Sequence, residues 1–118
     1  MFDINERIER IKARPDAAGI GMILAHQGIV RGTSKTGEPV TGMDLAVDRR
    51  RFDGALDEAR GWDGVVAVEG WVNEGRLAVG DDIMKVVVAG DVRGNVIAAL
   101  QRLVGIIKEE VVTEAELR

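Results

Sequence analysis

The amino-acid sequence predicts one domain of the α+β class. The chain has 118 residues, which is enough for one hydrophobic core and too few for two independent ones. Segments whose apolar residues recur with helical spacing alternate with segments rich in valine and isoleucine, and no internal repeat or linker separates them. We therefore expect residues 1–118 to fold as one unit, with a flexible loop at about 32–42 and a polar tail at about 113–118.

Three segments have the apolar spacing of amphipathic helices. The first is predicted over residues 4–13, with Asp3 placed as its N-cap. The second is predicted over residues 48–60, and the third begins near Arg93 and is expected to end at Gly105. The apolar stripe of the second helix consists of Phe52, Ala55, Leu56 and Ala59.

Six segments are predicted to be β-strands. Residues 18–31 are apolar without helical periodicity, which favours a long and well buried strand. The other five are shorter and cover residues 43–47, 65–72, 77–80, 82–89 and 106–112. Asn73-Glu74-Gly75 is typical of a turn between neighbouring strands, so we expect pairing mostly through hairpins.

The composition excludes several classes of protein. Cysteine is absent and His26 is the only histidine, so disulfides, thiolate nucleophiles and Cys/His zinc sites are excluded, and we expect no metal and no cofactor. A net charge of −4 disfavours a nucleic-acid partner. No apolar run approaches the roughly 18 residues that a membrane span requires, and the start of the chain is unlike a signal peptide. We expect a soluble, cytoplasmic protein.

Arg49, Arg50 and Arg51 form the densest positive charge of the chain, at a predicted helix start where the helix dipole favours carboxylates instead. This conflict suggests a contact with an anion or a partner. The alternative is a solvated first turn whose charges are balanced by Asp53 and Asp57. The sequence leaves both interpretations open and favours the second.

Four short motifs, taken in order, resemble the large, catalytic subunit of molybdopterin synthase (MoaE-like). Residues 26–31, His-Gln-Gly-Ile-Val-Arg, resemble the Phe-x-Gly-x-Val-Arg motif of that family, and residues 75–81 resemble its Gly-x-Leu-x-Val-Gly-Glu turn. Val92-Arg93 stands where the family has His-Arg before a helix. Residues 103–110 resemble a segment that ends in Val-Pro-Ile-Trp-Lys-Lys-Glu. The resemblance extends over most of the chain.

This resemblance implies a fold, a reaction and partners. The family fold is an α/β hammerhead with additional antiparallel strands. The family enzyme is a heterotetramer in which a central homodimer of large subunits receives the C-terminal tails of two small sulfur-carrier subunits (MoaD-like). Each tail ends in a glycine thiocarboxylate, and two sulfur transfers convert cyclic pyranopterin monophosphate into molybdopterin. A divergent enzyme of molybdenum cofactor biosynthesis is therefore the first functional hypothesis.

The resemblance also implies site residues. Arg31 and Arg93 would bind the substrate phosphate or the carboxylate of the tail, since a guanidinium binds such oxygens through two parallel hydrogen bonds. Lys108 matches the second of two active-site lysines of the family and would be the catalytic residue, with Glu110 as its matching carboxylate. A lysine beside arginines can act as a proton shuttle or a nucleophile.

Several positions depart from the family pattern. Gln101 stands where the principal catalytic lysine is expected, and His26 replaces the phenylalanine of the first motif; both are expected in the substrate-binding set. A second His-Arg pair of the family appears here as Gly70-Trp71. Gln101, Val92 in place of the histidine before Arg93, and Gly70-Trp71 support a second hypothesis, a catalytically silent dimeric module that binds a small sulfur carrier or a pterin. A third hypothesis is an unrelated small dimeric domain.

Overall fold

Three helices and six strands follow one another along the chain, and the computed structural model describes all of residues 1–118. The helices are α1 (Ile4–Lys12), α2 (Arg49–Arg60) and α3 (Arg93–Ile106). The strands are β1 (Met22–Ile29), β2 (Gly42–Val47), β3 (Val65–Val72), β4 (Gly75–Ala78), β5 (Asp82–Gly90) and β6 (Val112–Leu117). None of the three helices combines the length and apolar character that crossing a membrane requires.

The strands form two antiparallel sheets of three strands each, with the orders β1-β5-β3 and β4-β2-β6. No strand pairs with its neighbour in the chain, so the prediction of hairpins is wrong. The turn at residues 73–75 instead leads from one sheet to the other. It is fixed by the Asn73 N–H, which donates to the carbonyl oxygen of Ile83 at 2.9 Å, and by Gly75, whose φ of 123° suits glycine.

The main core lies between the first sheet and the helices α2 and α3. The predicted apolar stripe of α2 is entirely buried, and its N-cap is Asp48, whose carboxylate accepts a hydrogen bond from the Arg51 N–H. The helix lies very close to β3 at Gly70. A Cβ atom added there would lie 3.1 Å from the ring of Phe52 and 3.2 Å from Leu56. A side chain at this position, where the resembling family has a histidine, would require these two side chains of α2 to move.

A smaller cluster holds α1 against the opposite face of the first sheet. Asp3 is the N-cap of α1, as predicted, and accepts a hydrogen bond from the Glu6 N–H. Arg7 forms an ion pair of 2.6 Å with Glu69 of β3. The ammonium of Lys85 donates to the carbonyl oxygen of Phe2 at 2.9 Å and so ties the start of the chain to β5.

The first strand differs from its prediction in length and in burial. It begins at Met22 because residues Ala17–Gly19 form a short 3₁₀ turn. It is the edge strand of its sheet, and from Ala25 onward exposed residues alternate with partly buried ones. Its apolar character arises because one face packs on the main core and the other on the cluster below α1.

The C-terminal segment also differs from its prediction. Gly105 does not end α3, which continues to Ile106 and then into a π-helical turn, Ile107–Val111. Leu103, Ile107 and Val111 are buried at intervals of four residues, so one apolar face runs through the whole segment. The last strand is therefore not residues 106–112 but β6, formed from the expected polar tail. It pairs with β2 at the edge of the second sheet, where only its first residue is buried.

Residues 30–41 connect β1 to β2, and the loop predicted at about 32–42 lies almost entirely within this connection. The Ser34 hydroxyl is buried in this connection and accepts hydrogen bonds from the N–H groups of Thr36 and Glu38. An isolated bridge joins Thr33 to Pro39. These contacts give the loop internal structure, and its flexibility stays a prediction.

Candidate functional site

A cleft of about 360 Å³ lies where the two sheets meet, and it contains Arg31 and Lys108. Both sheets, the loop after β1 and the π-helical turn contribute to its wall. We call it the Lys108 cleft. Its lining residues are Ile29, Arg31, Thr33, Lys35, Val40, Met43, Ile83, Lys108, Glu114 and Glu116.

The segment around Arg31 is held by backbone hydrogen bonds. The N–H of Val30 donates to the carbonyl oxygen of Asp81, and the N–H of Gly80 donates to the carbonyl oxygen of Val30. The side chain of Val30 is buried, and a register irregularity between Gly28 and Ile29 ends the regular part of β1. Arg31 follows directly and reaches the cleft.

Lys108 is placed by the π-helical turn. Ile107 and Val111, on either side of Lys108 in the sequence, are buried in the main core and hold the turn in place. Lys108 lies on the solvent-facing side of the turn. Its side chain is 51% exposed, and its ammonium lies 3.5 Å from the carboxylate of Glu114 on β6. The ammonium is therefore accessible to a ligand in the cleft.

The charges of the Lys108 cleft favour an anionic ligand. Its wall carries the cations Arg31, Lys35 and Lys108 and the carboxylates Glu114 and Glu116. Arg31 and Lys35 form no ion pair, whereas Glu116 faces Arg118 at 3.8 Å. Unpaired cations in a concave surface attract phosphate and carboxylate groups.

His26 lies beside this cleft but does not line it. It stands on β1 opposite Val86 of β5, and its buried Nε2 atom has no hydrogen-bond partner. Burial lowers the pKa of His26 from its ordinary value of 6.5, and the positive charge of Lys108 lowers this pKa further. The imidazole is therefore neutral at pH 7 and has no positive charge with which to bind an anionic ligand.

Two residues of the expected site lie outside the cleft on α3. Gly90, shortly before Arg93, is paired with Met22 at the start of β1, whereas Arg31 follows the end of that strand. A strand of 8 residues spans about 26 Å, so Arg93 and Arg31 of one chain stand at opposite ends of the sheet. Gln101 is exposed about two helical turns before Lys108, or about 10 Å along the helix.

Glu110 faces away from Lys108. Its carboxylate pairs with Arg51 of α2 at 3.1 Å, and Arg51 also pairs with Glu58. The acidic partners of the arginine cluster are thus Glu58, Glu110 and Glu74, not the expected Asp53 and Asp57. The reason is geometric, because Asp57 pairs with Arg60 one turn further along α2.

Lys35, Glu114 and Glu116 are cleft residues that the sequence analysis missed. Lys35 lies in the loop and the two glutamates lie in the segment taken for a polar tail. A signal was present, because Glu114 and Glu116 are two residues apart and therefore lie on one face if the segment is a strand.

The fold is that of molybdopterin synthase large subunits. A solved molybdopterin synthase from Staphylococcus aureus matches with a TM-score of 0.78 at 18% identity, over 98% of this chain and 85% of that one. A molybdopterin biosynthesis MoaE protein from Burkholderia ambifaria matches with a TM-score of 0.74 at 24% identity, over 98% of this chain and 82% of that one. A chain in a complex of subunits 1 and 2 of the molybdopterin-converting factor from Helicobacter pylori matches with a TM-score of 0.69 at 17% identity, over 98% of this chain and 78% of that one.

The sequence itself identifies the family. The family model described as MoaE protein matches residues 1–110, and this chain belongs to the MoaE protein family. No curated protein matches the sequence significantly. The resemblance stated from the motifs and the α+β fold class are thereby confirmed, and the hypothesis of an unrelated domain is wrong.

Proposed function

We propose that this chain is the large subunit of a molybdopterin synthase. It would transfer sulfur from the C-terminal thiocarboxylate of a small sulfur-carrier subunit to cyclic pyranopterin monophosphate. One observation carries the proposal beyond family membership: Arg31 and Lys108 are 77 positions apart in the sequence, yet both line one cleft whose unpaired cations suit an anionic substrate. The substrate phosphate and the carboxylate of the tail are both such anions.

The two residues have different roles in this proposal. Arg31 binds and orients an anionic group, because its planar guanidinium donates two parallel hydrogen bonds to a carboxylate or phosphate. Lys108 moves protons at the reacting centre or, after losing its own proton, acts as a nucleophile. Its half-exposed side chain lines the cleft, and the proposal puts the end of the tail there.

We further propose that the chain works as a homodimer. Arg93 is part of the expected anion-binding set, yet strand β1, about 26 Å long, separates the end of the sheet near Arg93 from the end near Arg31 of the same chain. Arg93 and Arg31 can share a ligand only if they come from two copies. A symmetric dimer would create two such composite sites.

A single-turnover reaction tests the proposed activity. The purified protein is mixed with thiocarboxylated small subunit and cyclic pyranopterin monophosphate, and products are identified by mass spectrometry beside an active family member. We expect the dithiolene product from the parent and a rate reduced about 100-fold or more for Lys108→Ala, which is typical for loss of a proton-transfer group. Lys12→Ala, at an exposed lysine of α1, is the matched control.

Equal rates for Lys108→Ala and the parent would refute the role of Lys108. No product from any form, with the family member active, would refute the synthase proposal.

The second candidate function is a catalytically silent binding module. Gln101 favours it, because an amide at the position of the principal lysine can neither transfer a proton nor attack as an amine. Isothermal titration with the small subunit and with the pterin separates the two proposals. Binding without turnover supports the module, and the absence of binding to either compound excludes it.

A further inference from the structure

The counterion of Lys108 is a carboxylate that the family motif does not contain. The motif pairs this lysine with Glu110, but Glu110 is held by Arg51, on the α2 side of the π-helical turn. The carboxylate of Glu114 lies 3.5 Å from the ammonium of Lys108 instead. Glu114 belongs to β6, which forms in the segment that the sequence predicts as a polar tail.

The register of β6 fixes this carboxylate against the cleft. Glu114 is paired with Leu45 of β2, and Glu116 is paired with Met43, so both glutamates point to the same face of the second sheet. Leu45 and Met43 are buried in the main core, which holds β2 in place. Glu114 is therefore presented to Lys108 by backbone pairing rather than by a mobile terminus.

The two glutamates differ in their partners. Glu116 faces Arg118 at 3.8 Å, and Arg118 also faces Glu38 of the loop at 3.8 Å. Glu114 has Lys108 as its one ion-pair partner, and its side chain is 30% exposed. Of the three cations that line the Lys108 cleft, Arg31 and Lys35 have no ion-pair partner, whereas Lys108 is paired with Glu114. An anion that enters the cleft therefore competes only for Lys108.

We propose that Glu114 is a positioning residue that controls the anion affinity of the Lys108 cleft. Its carboxylate holds the ammonium of Lys108 and offsets its charge, and an anionic ligand must compete with it for Lys108. This inference deepens the proposed function, on which it rests for the identity of the natural ligand. The competition itself is a property of the cleft and is measurable with a simple anion.

The test measures the affinity for inorganic phosphate by nuclear magnetic resonance titration, following the backbone amides of the cleft and the side-chain Nε–H of Arg31. We expect Glu114→Gln to bind phosphate about three- to tenfold more tightly than the parent, because the ammonium of Lys108 then has no competing carboxylate and is free to bind the anion. The gain should shrink as salt is raised from about 0.01 to 0.15 M. Glu114→Asp should bind like the parent, because it keeps the charge.

Two further variants make the test specific. Glu110→Gln removes the same charge from the same segment but outside the cleft, and we expect an affinity within twofold of the parent. In the double variant Glu114→Gln with Lys108→Ala the gain should vanish, because Glu114 acts through Lys108. The dispersion of the spectra shows that each variant is folded.

Equal phosphate affinity of the parent and Glu114→Gln overturns the proposal, and so does an equal gain in Glu110→Gln or no phosphate binding by any form. These outcomes are distinct from a failure of the proposed function. A protein without turnover that still shows the Glu114-dependent gain refutes the synthase activity and keeps the role of Glu114. Turnover by a protein that shows no such gain in phosphate affinity supports the synthase activity and refutes the role of Glu114.

Discussion

At the scale of single residues, His26 links the stability of the fold to pH. Its folded-state pKa is lowered, chiefly by burial and further by the charge of Lys108. A base with a lowered pKa binds fewer protons in the folded chain than in the unfolded one, so protons favour unfolding. The contribution of His26 to stability is therefore complete above a pH of about 6.5 and is lost as the pH falls through that value toward the folded-state pKa.

The variant His26→Phe tests this dependence. Urea unfolding at pH 7.5 and 5.5 should show a smaller loss of stability on acidification than in the parent, since the titrating group is gone. His26→Gln should flatten the pH dependence as well but be less stable than His26→Phe, because it keeps a buried polar group without a partner. An unchanged pH dependence in both variants would show that His26 is not the group responsible.

Single residues were predictable where a short motif fixes both their type and their surroundings. Arg31 and Lys108 were selected from motifs, and both line the cleft. Glu110 was selected in the same way, yet it pairs with Arg51, because the direction of a side chain on a π-helical turn depends on packing that a motif does not encode. Lys35 and Glu114 have no local signature, since their role arises from the meeting of two sheets.

At the scale of the elements, the contact between α2 and β3 depends on Gly70. A methyl group at this position would approach Phe52 to 3.1 Å and Leu56 to 3.2 Å, so both side chains would have to move by a few tenths of an ångström. We expect Gly70→Ala to lower the free energy of unfolding by about 1–3 kcal/mol, measured by urea denaturation. Gly54→Ala in α2, where the nearest atom lies at 3.6 Å, should instead raise it by about 0.5–1 kcal/mol.

If Gly70→Ala proves as stable as the parent, the helix can shift at no cost and close packing does not explain this glycine. The pair of variants separates the two causes, because both replace glycine by alanine and only one meets buried neighbours.

Elements with local signals were predicted well, and those set by distant contacts were not. The helices α1 and α2 were correct to within a residue or two because a polar N-cap and an apolar stripe lie within each segment. The pairing of the strands was wrong, because each strand joins a partner far away in the sequence and turn residues reveal only hairpins. Gly105 was a misleading stop signal, because packing of Leu103, Ile107 and Val111 outweighs its low helix propensity.

At the scale of the whole molecule, the chain is elongated, with extents of 48 × 24 × 24 Å. The start of α3 follows the end of β5 that pairs with the start of β1, whereas Arg31 follows the other end of β1. The proposed homodimer is the arrangement that would bring Arg93 of one copy next to Arg31 of the other.

Complementation between two inactive variants tests this arrangement. The Lys108→Ala variant lacks the lysine of the site but keeps Arg93. The Arg93→Ala variant lacks Arg93 but keeps Lys108. If each site combines Lys108 of one copy with Arg93 of the other, a mixed dimer contains one intact site and one doubly damaged site. Random pairing makes half of the dimers mixed, so co-expression should restore about a quarter of the parent activity.

The same single-turnover reaction provides the measurement, with each variant expressed alone as the baseline. If Arg93 served the cleft of its own chain, every site in the mixed dimer would carry one damaged residue and activity would stay at that baseline. Restoration therefore requires both a dimer and a site shared across it. A protein that sediments as a monomer at micromolar concentration would contradict both.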